Sequence, residues 1–349
     1  LVELAAEHGV AAICQKPLAW EMADATAMVQ AMADRGLPFM VHENFRFQYP
    51  MRRIKALLDA GTIGQPFFGR ISFRTDFDVY SNQPWLVDNP RMIIIDVAVH
   101  LFDLARCFMG EPESLFTEAI RVNPRIAGED VATVLMHMNG GTCIVDASYE
   151  TSSDHDTYPQ TMVTLEGTEG TITLSADYHL QVVSRGEASE EDLVIPHHEW
   201  ASSPWNAIQD SVHSIQRHWI ECLASGRTPE TSGPDTLRLL DITLGAYESA
   251  GSGQRYRVGA MHARHRDATL AGHTVIERDD ASPIDTPRDV VLCLAGCDAT
   301  VAFDAALSIT NELHSGHRAL LMLPSRSGRP TSSFPAYWSQ GRSHRYPPC

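Results

Sequence analysis

The 349 residues carry a formal net charge of −17, with 44% hydrophobic and 20% charged residues. That balance suits a globular chain long enough for two domains with real cores, and the acidity argues against a nucleic-acid partner because little here would neutralise a phosphate backbone. No apolar run reaches the length of a membrane span and no leader-type segment opens the chain, so the sequence reads as cytoplasmic and not membrane-bound.

Seven scattered cysteines lack the paired spacing of a metal site, which favours reduced thiols and no bound metal. Of 27 basic residues only Lys16 and Lys55 are lysine. Where a positive charge alone was wanted arginine was available, so each lysine is a candidate for a specific role.

In chain order, residues 1–8 read as the end of a helix closed by Gly9, and the pattern predicts a further segment before Leu1. Val10 to Cys14 is apolar without alternation, as in a strand buried on both faces of a parallel sheet. Gln15-Lys16-Pro17 breaks it, residues 21–35 form a helix stopped by Gly36, and Leu37 to Val41 gives a second strand ending in His42-Glu43-Asn44. Helix, strand, helix, strand predicts the C-terminal half of a Rossmann-type doubly wound α/β domain over residues 1–44.

After a helix to Ala60 the pattern changes. Alternating runs at 67–79, 115–122, 130–138, 142–149, 160–166, 170–175 and 179–184 predict an open antiparallel sheet, with Gly140-Gly141 and Glu166 to Gly170 as hairpin connectors. With helices near 94–109, 205–225 and 234–250, residues 45–258 form a second, α+β domain. Residues 259–349 lose the pattern, and their last stretch is rich in Ser, Pro, Gly and Arg; the tail is unassigned and expected to be partly disordered, although 290–294 and 319–323 have strand character around a helical stretch.

Lys16 follows a buried strand at the carboxyl edge of the expected sheet, where open α/β folds bind ligands, and Pro17 fixes the backbone there. An ammonium in that place polarises a hydroxyl or carbonyl oxygen; a solvated strand-end lysine is the competing reading. Asp96 and His100 lie four apart at the start of an otherwise apolar helix, which puts both on one face. A histidine titrating near neutrality can accept a hydroxyl proton as hydride leaves the same carbon. An N-cap aspartate beside a satisfied core histidine explains the pair equally well, and Asp103 is placed to orient the helix or the imidazole. Tyr80, Trp85 and Arg91, just before this helix, are candidates to line a substrate pocket, with packing or loop placement as the alternative.

Together, the Lys16-Pro17 turn and Asp96-x-x-x-His100-x-x-Asp103 resemble the Gfo/Idh/MocA oxidoreductase family. The resemblance spans roughly residues 1–258 and includes Asn44-Phe45-Arg46-Phe47, Ala60-Gly61-Thr62-Ile63-Gly64, Glu166 to Thr171 and Ala246 to Ala250. It implies NAD(P)-dependent hydride transfer at a CH–OH group of a sugar, inositol or related polyol, with Lys16 and His100 catalytic and Asp96 and Arg46 on the substrate. It also implies Gln15, Lys16, Pro17 and Asn44 beside the cofactor, NAD or NADP, and a homo-oligomer formed through the open sheet. Gln15 stands where the family usually has glutamate, and Val99 where glycine often precedes the histidine. No G-x-G-x-x-G follows a strand anywhere in the chain, so the phosphate-binding half of the cofactor domain is expected to be missing. That absence keeps a non-catalytic sugar-binding or regulatory relative, or an inactive fragment, as the alternative; an NAD-dependent glycosidase is a second one.

Overall fold

The computed structural model describes residues 1–261, 289–293 and 318–322. The chain opens with α1 (Val2–Glu7), β1 (Ala11–Gln15), α2 (Met22–Ala33) and β2 (Phe39–His42). β1 and β2 pair in parallel, Ala12 opposite Phe39 through Gln15 opposite His42. Their unbroken apolar runs reflect two covered faces. Ala12, Cys14, Phe39 and Val41 meet α1 and α2 on one side, whereas Ala11, Ile13 and Met40 face the other way.

A one-turn 3-10 helix at Phe45–Phe47 leads into α3 (Tyr49–Asp59) and β3 (Pro66–Arg74). Short turns α4 (Val79–Asn82) and Pro84–Leu86 precede a π-helical turn at Ile94–Ala98, which runs directly into α5 (Val99–Met109). A three-strand meander follows, β4 (Pro112–Ile120), β5 (Val131–Met138) and β6 (Gly141–Ser148), then β7 (Met162–Gly167), β8 (Gly170–Ser175), β9 (His179–Ser184) and β10 (Glu187–Asp192). The described chain then runs through α6 (Asn206–Ser225), α7 (Gly233–Ser252), β11 (Tyr256–Arg257), β12 (Asp289–Cys293) and β13 (Arg318–Met322).

The large sheet has nine strands in the order β10-β9-β8-β7-β3-β6-β5-β4-β11. It is mixed rather than purely antiparallel. The meander that follows α5 brings β6 back beside β3 in the same direction, with Phe68 opposite Thr142 through Arg74 opposite Ser148. At the β7–β8 turn a Cβ on Gly170 would fall 1.9 Å from the Val183 carbonyl oxygen, so only glycine lets the next strand pair this closely. Alternate residues of β5, Ala132, Val134, Met136 and Met138, point into the main core with α5 and α7, while Thr133, Leu135 and His137 are exposed on the open face.

Two features differ from the boundaries expected from the sequence. Helices α6 and α7, assigned there to the second domain, close the two faces of the small parallel sheet. Val212, Ile215 and Trp219 of α6 pack on Ile13 and Met40, and Leu237, Leu240 and Leu244 of α7 pack on the opposite face. Burying each such side chain contributes roughly 1.5–3 kcal/mol. Within the tail, β12 pairs in parallel with β1 and β13 with β12, so the small sheet has the order β13-β12-β1-β2. The expected unassigned tail therefore supplies two sheet strands, and the edge of β1 is paired; the helical stretch at 299–313 and the Ser/Pro-rich end lie outside the described residues. Among the described residues no helix is long and apolar enough to cross a membrane. Among the described residues Cys14, Cys107, Cys143 and Cys222 form no disulfide.

Candidate active site

Lys16 leaves the carboxyl end of β1 and reaches the π-helical turn. Its ammonium donates to the Asp96 carbonyl oxygen at 2.7 Å and pairs with Asp96 Oδ1 at 3.0 Å, both side chains retaining some exposure. Two of three N–H groups are thus engaged, leaving one for a ligand. The adjoining Gln15 side chain folds back to accept the Lys16 backbone N–H at 2.9 Å.

The turn that carries Asp96 is held from outside its own helix. Glu129 Oε1 accepts the backbone N–H groups of Met92 and Ile94, each at 3.1 Å, and its backbone carbonyl accepts that of Ile93 at 3.0 Å. Tyr247 of α7 accepts the Ile95 N–H at 3.2 Å and donates its hydroxyl to Glu129 at 2.8 Å. The free donors at the start of this helix are therefore satisfied by Glu129 and Tyr247, and Asp96 is not the cap. It is left to face Lys16 and Tyr149, a buried phenol at the end of β6 whose hydrogen bond with Asp96 adds to burial in pushing its pKa well above the usual range. A π turn widens the helix locally and displaces the side chains it carries, a device frequent at functional sites.

His100 lies on the next turn, buried, with its ring stacked on Phe45 at 3.9 Å between centroids and 4° between planes. Its Nδ1 is hydrogen-bonded to Glu43, which follows β2 at the same sheet edge as Lys16. Burial holds the imidazole well below its ordinary pKa, Lys16 adds to that, and Asp96 and Asp103 oppose it. Burial pushes Glu43 up to about 7 against the pull of Lys16 and Arg46. The direction that follows from both is a buried pair sharing one proton near neutrality. Beside it His42 is lowered to about 4 by burial, and its Nε2 has no hydrogen-bond partner.

The structure brings Lys16, Asp96 and His100 to one place and assigns other work to several expected site residues. Arg46 is 9% exposed and donates to Asp103 through Nε at 2.7 Å and Nη2 at 2.5 Å, with Asp235 at 3.7 Å and Glu230 at 3.8 Å. It ties α5 to the 45–47 turn, and the Asp103 carboxylate accepts from Arg46 rather than from the imidazole. Arg91 donates to the Trp20 carbonyl at 2.9 Å and pairs with Glu21 at 3.1 Å, its guanidinium over the Tyr247 ring, so it clamps the loop after β1. Trp85 is 48% exposed on its short turn. Asn44 donates to Ser211 of α6 at 2.6 Å. Sequence reasoning passed over Glu43, Phe45, Glu129 and Tyr149. Only Glu43 carried a signal, standing directly after an apolar strand as Lys16 does. Among the described residues no group of three or more His, Cys, Asp or Glu side chains is arranged to hold a metal ion.

The site thus sets a lysine at the edge of a parallel sheet against an aspartate and a histidine from a helix that packs under a second, larger sheet. Residues 51–173 match the family model described as GFO/IDH/MocA C-terminal domain. A D-apiose dehydrogenase from Rhizobium rhizogenes is 47% identical over 262 residues, covering 75% of this chain and 76% of that protein. A D-apiose dehydrogenase from Paraburkholderia graminis is 46% identical over 279 residues, covering 80% and 74%. The crystal structure of an oxidoreductase from Agrobacterium radiobacter in complex with NAD+, L-tartaric acid and magnesium superposes with a TM-score of 0.73 at 47% identity, covering 74% of this chain and 76% of that one. The chain belongs to the Gfo/Idh/MocA family of oxidoreductases, as its Lys-Pro turn and Asp-x-x-x-His helix lead one to expect.

Proposed function

We propose that this protein oxidises a CH–OH group of a sugar, inositol or related polyol with NAD or NADP, His100 serving as general base. The observation that carries the reading is the convergence of Lys16 on Asp96, four residues before a buried imidazole that both of them influence electrostatically. The polar groups at the carboxyl ends of β1 and β2 fit the nicotinamide end of such a cofactor: Gln15 and Asn44 offer side-chain amides and Lys16 an ammonium, the chemistry that a carboxamide and ribose hydroxyls take, while Pro17 fixes the backbone that carries them. When bound, the oxidised nicotinamide supplies the acceptor for a hydride.

The chain's own groups supply the rest. Lys16 directs its remaining N–H to the substrate oxygen and steadies charge developing there. Asp96 accepts from a neighbouring hydroxyl and holds the ammonium in place. His100 removes the hydroxyl proton, a function worth roughly 10²–10⁴ in rate. The names of the most similar relatives put D-apiose first among substrates to try, ahead of other aldoses and inositols. The experiment is NAD(P)H formation from that panel at millimolar dinucleotide, with wild type beside Lys16→Met and His100→Ala. Substrate-dependent reduction that both variants abolish supports the reading; a wild type inert on every polyol, or a His100→Ala variant with full activity, refutes it.

The open face of the large sheet, bearing Leu135 and an Arg70–Asp146–Arg74 cluster, is the proposed surface for self-association. Light scattering of wild type and Leu135→Asp tests this, a shift to monomer being the expected result.

A further inference from the structure

Among the buried titratable groups that the proposed mechanism leaves unused, Glu43 touches the reacting machinery directly. We infer that Glu43 is a positioning residue, its carboxylate accepting the Nδ1–H of His100 and so fixing the ring as the tautomer whose Nε2 takes the substrate proton. The inference rests on the reading of His100 as general base and names what prepares that base.

Four observations carry it. Glu43 has no solvent exposure, and its backbone is drawn into a tight turn by its N–H donating to the Val41 carbonyl at 2.8 Å. The backbone that carries the carboxylate is therefore fixed at the end of β2, and the side chain that reaches Nδ1 is wholly buried. The imidazole, stacked flat on Phe45, is braced against tilting out of that bond. The nearer carboxylate in sequence, Asp103, is committed to Arg46 by two hydrogen bonds and makes none with the ring. Finally, Nε2 makes no hydrogen bond among the described residues and is left for a ligand, whereas Nδ1 is taken.

The chemistry follows from that asymmetry. With Nδ1 protonated and donating to Glu43, Nε2 carries the lone pair, and a neutral histidine has no other way to present one there. In the step itself the substrate O–H bond breaks and an Nε2–H bond forms. The electron pair of the C–H bond leaves for the oxidised nicotinamide, so the alcohol is oxidised and the dinucleotide reduced. The imidazolium so formed lies against a carboxylate, which stabilises it without further rearrangement. A proton then returns to solvent from Nε2, restoring the starting tautomer. The same logic orients histidine in hydrolytic triads, where a buried carboxylate on Nδ1 sets the ring without itself reacting.

Charged and titratable groups surround the pair on every side, and they set its pH response. Lys16 faces it from the end of β1, Asp96 and Asp103 from the helix of His100, His42 from β2, and Arg46 and Arg106 from behind Glu43. Substituting Glu43→Gln removes the counter-charge but leaves an amide oxygen able to accept Nδ1–H; Glu43→Leu removes both.

The test uses the full chain and two independent readouts. Long-range proton–nitrogen NMR of the imidazoles, with the His100 signals assigned by their loss in His100→Gln, gives the tautomer and titration of the ring without substrate or cofactor. The expected result is an Nδ1–H tautomer in wild type, kept in Glu43→Gln with titration moved to lower pH, and mixed in Glu43→Leu. Kinetics on D-apiose with NAD+ should then show kcat reduced at least about tenfold in Glu43→Gln, with KM changed much less, and the acid limb of the pH profile displaced downward because the imidazolium has lost its partner. A carboxylate serving only to fill space predicts a Glu43→Gln variant with wild-type kcat and pH profile, and that outcome overturns the inference. So does an Nε2–H tautomer in wild type. If wild type turns over no polyol, the proposed function fails, while the NMR arm still decides whether Glu43 sets the ring.

Discussion

Arg46 looked like a substrate ligand in the sequence and is a buried strut in the structure, and substituting Arg46→Met separates the two roles. In the native protein its guanidinium bonds Asp103 at 2.7 and 2.5 Å, and Asp103 has no solvent exposure. Removing the arginine leaves that carboxylate buried with Arg106, at 3.6 Å, as the nearest remaining cation. Breaking a buried pair from one side costs about 3–5 kcal/mol; the residual Arg106 contact argues for the lower end, about 3 kcal/mol. For a chain of 349 residues, with an unfolding entropy of about 2.1 cal/mol/K per residue, that corresponds to a fall in melting temperature of about 4 °C. The loss should depend on pH in a definite sense. Burial already pushes Asp103 above its ordinary pKa while Arg46 pulls it back, so without Arg46 it rises further. A carboxyl whose folded pKa lies above its unfolded one is tolerated while protonated, at pH below the unfolded value, and becomes destabilising as pH rises through the folded value. The deficit should therefore be small near pH 4 and full near pH 8. Arg46→Met combined with Asp103→Leu should recover most of it. Urea unfolding followed by circular dichroism at several pH values, with KM for the sugar measured alongside, is the assay. A variant within about 1 kcal/mol of wild type but with a tenfold higher KM would mean that Arg46 binds substrate and that the strut is misassigned.

Three further outcomes are expected. Trp219→Ala, which empties the contact between α6 and the face of β1 and β2 bearing Ile13 and Met40, should cost about 3–5 kcal/mol in the same unfolding assay. Tyr247→Phe strips the Ile95 N–H and Glu129 of a shared hydroxyl; a loss of about 1–3 kcal/mol with lowered kcat is expected, and unchanged kcat would mean that the π turn holds Asp96 without it. Dinucleotide titration followed by fluorescence should give a dissociation constant weaker than micromolar, because the sequence has no glycine-rich turn to receive the pyrophosphate; micromolar binding would show that other residues supply that site.

What was legible in the sequence was what local pattern encodes. Unbroken apolar runs announced strands with two covered faces, and the break after the first one marked Lys16. Spacing of four on an apolar helix paired Asp96 with His100. The missing parts are those made by contacts distant in sequence. Glu43 and His100 are 57 positions apart, and nothing in either segment says that a strand end will meet a helix face. The π turn has no composition signature, since its stability comes from Glu129 and Tyr247, both far along the chain toward the C-terminus. β10, all exposed and mostly acidic, has none of the alternation that reveals a half-buried strand; it exists because β9 offers an edge. Helices α6 and α7 show ordinary amphipathic patterns, and pattern alone does not say which sheet their apolar stripes will cover.

Helix α7 gives the molecule a mechanical character that neither sheet has alone. Leu237, Leu240 and Leu244 are embedded with the parallel sheet, while Leu239, Ile242 and Ala246, on the same rod, are embedded with the nine-stranded one. A single stiff element cannot leave one core without disturbing the other, so the two sheets should melt in one transition, and amides across α7 should exchange with solvent at nearly one rate. On that expectation the distance between Lys16 and the helix of His100 is set when the chain folds, and the proposed substrate would meet a site already in place. Any opening that admits substrate falls to loops and side chains at the rim, and a mutation at the midpoint of this rod, remote from every reacting atom, would be read first as lost turnover.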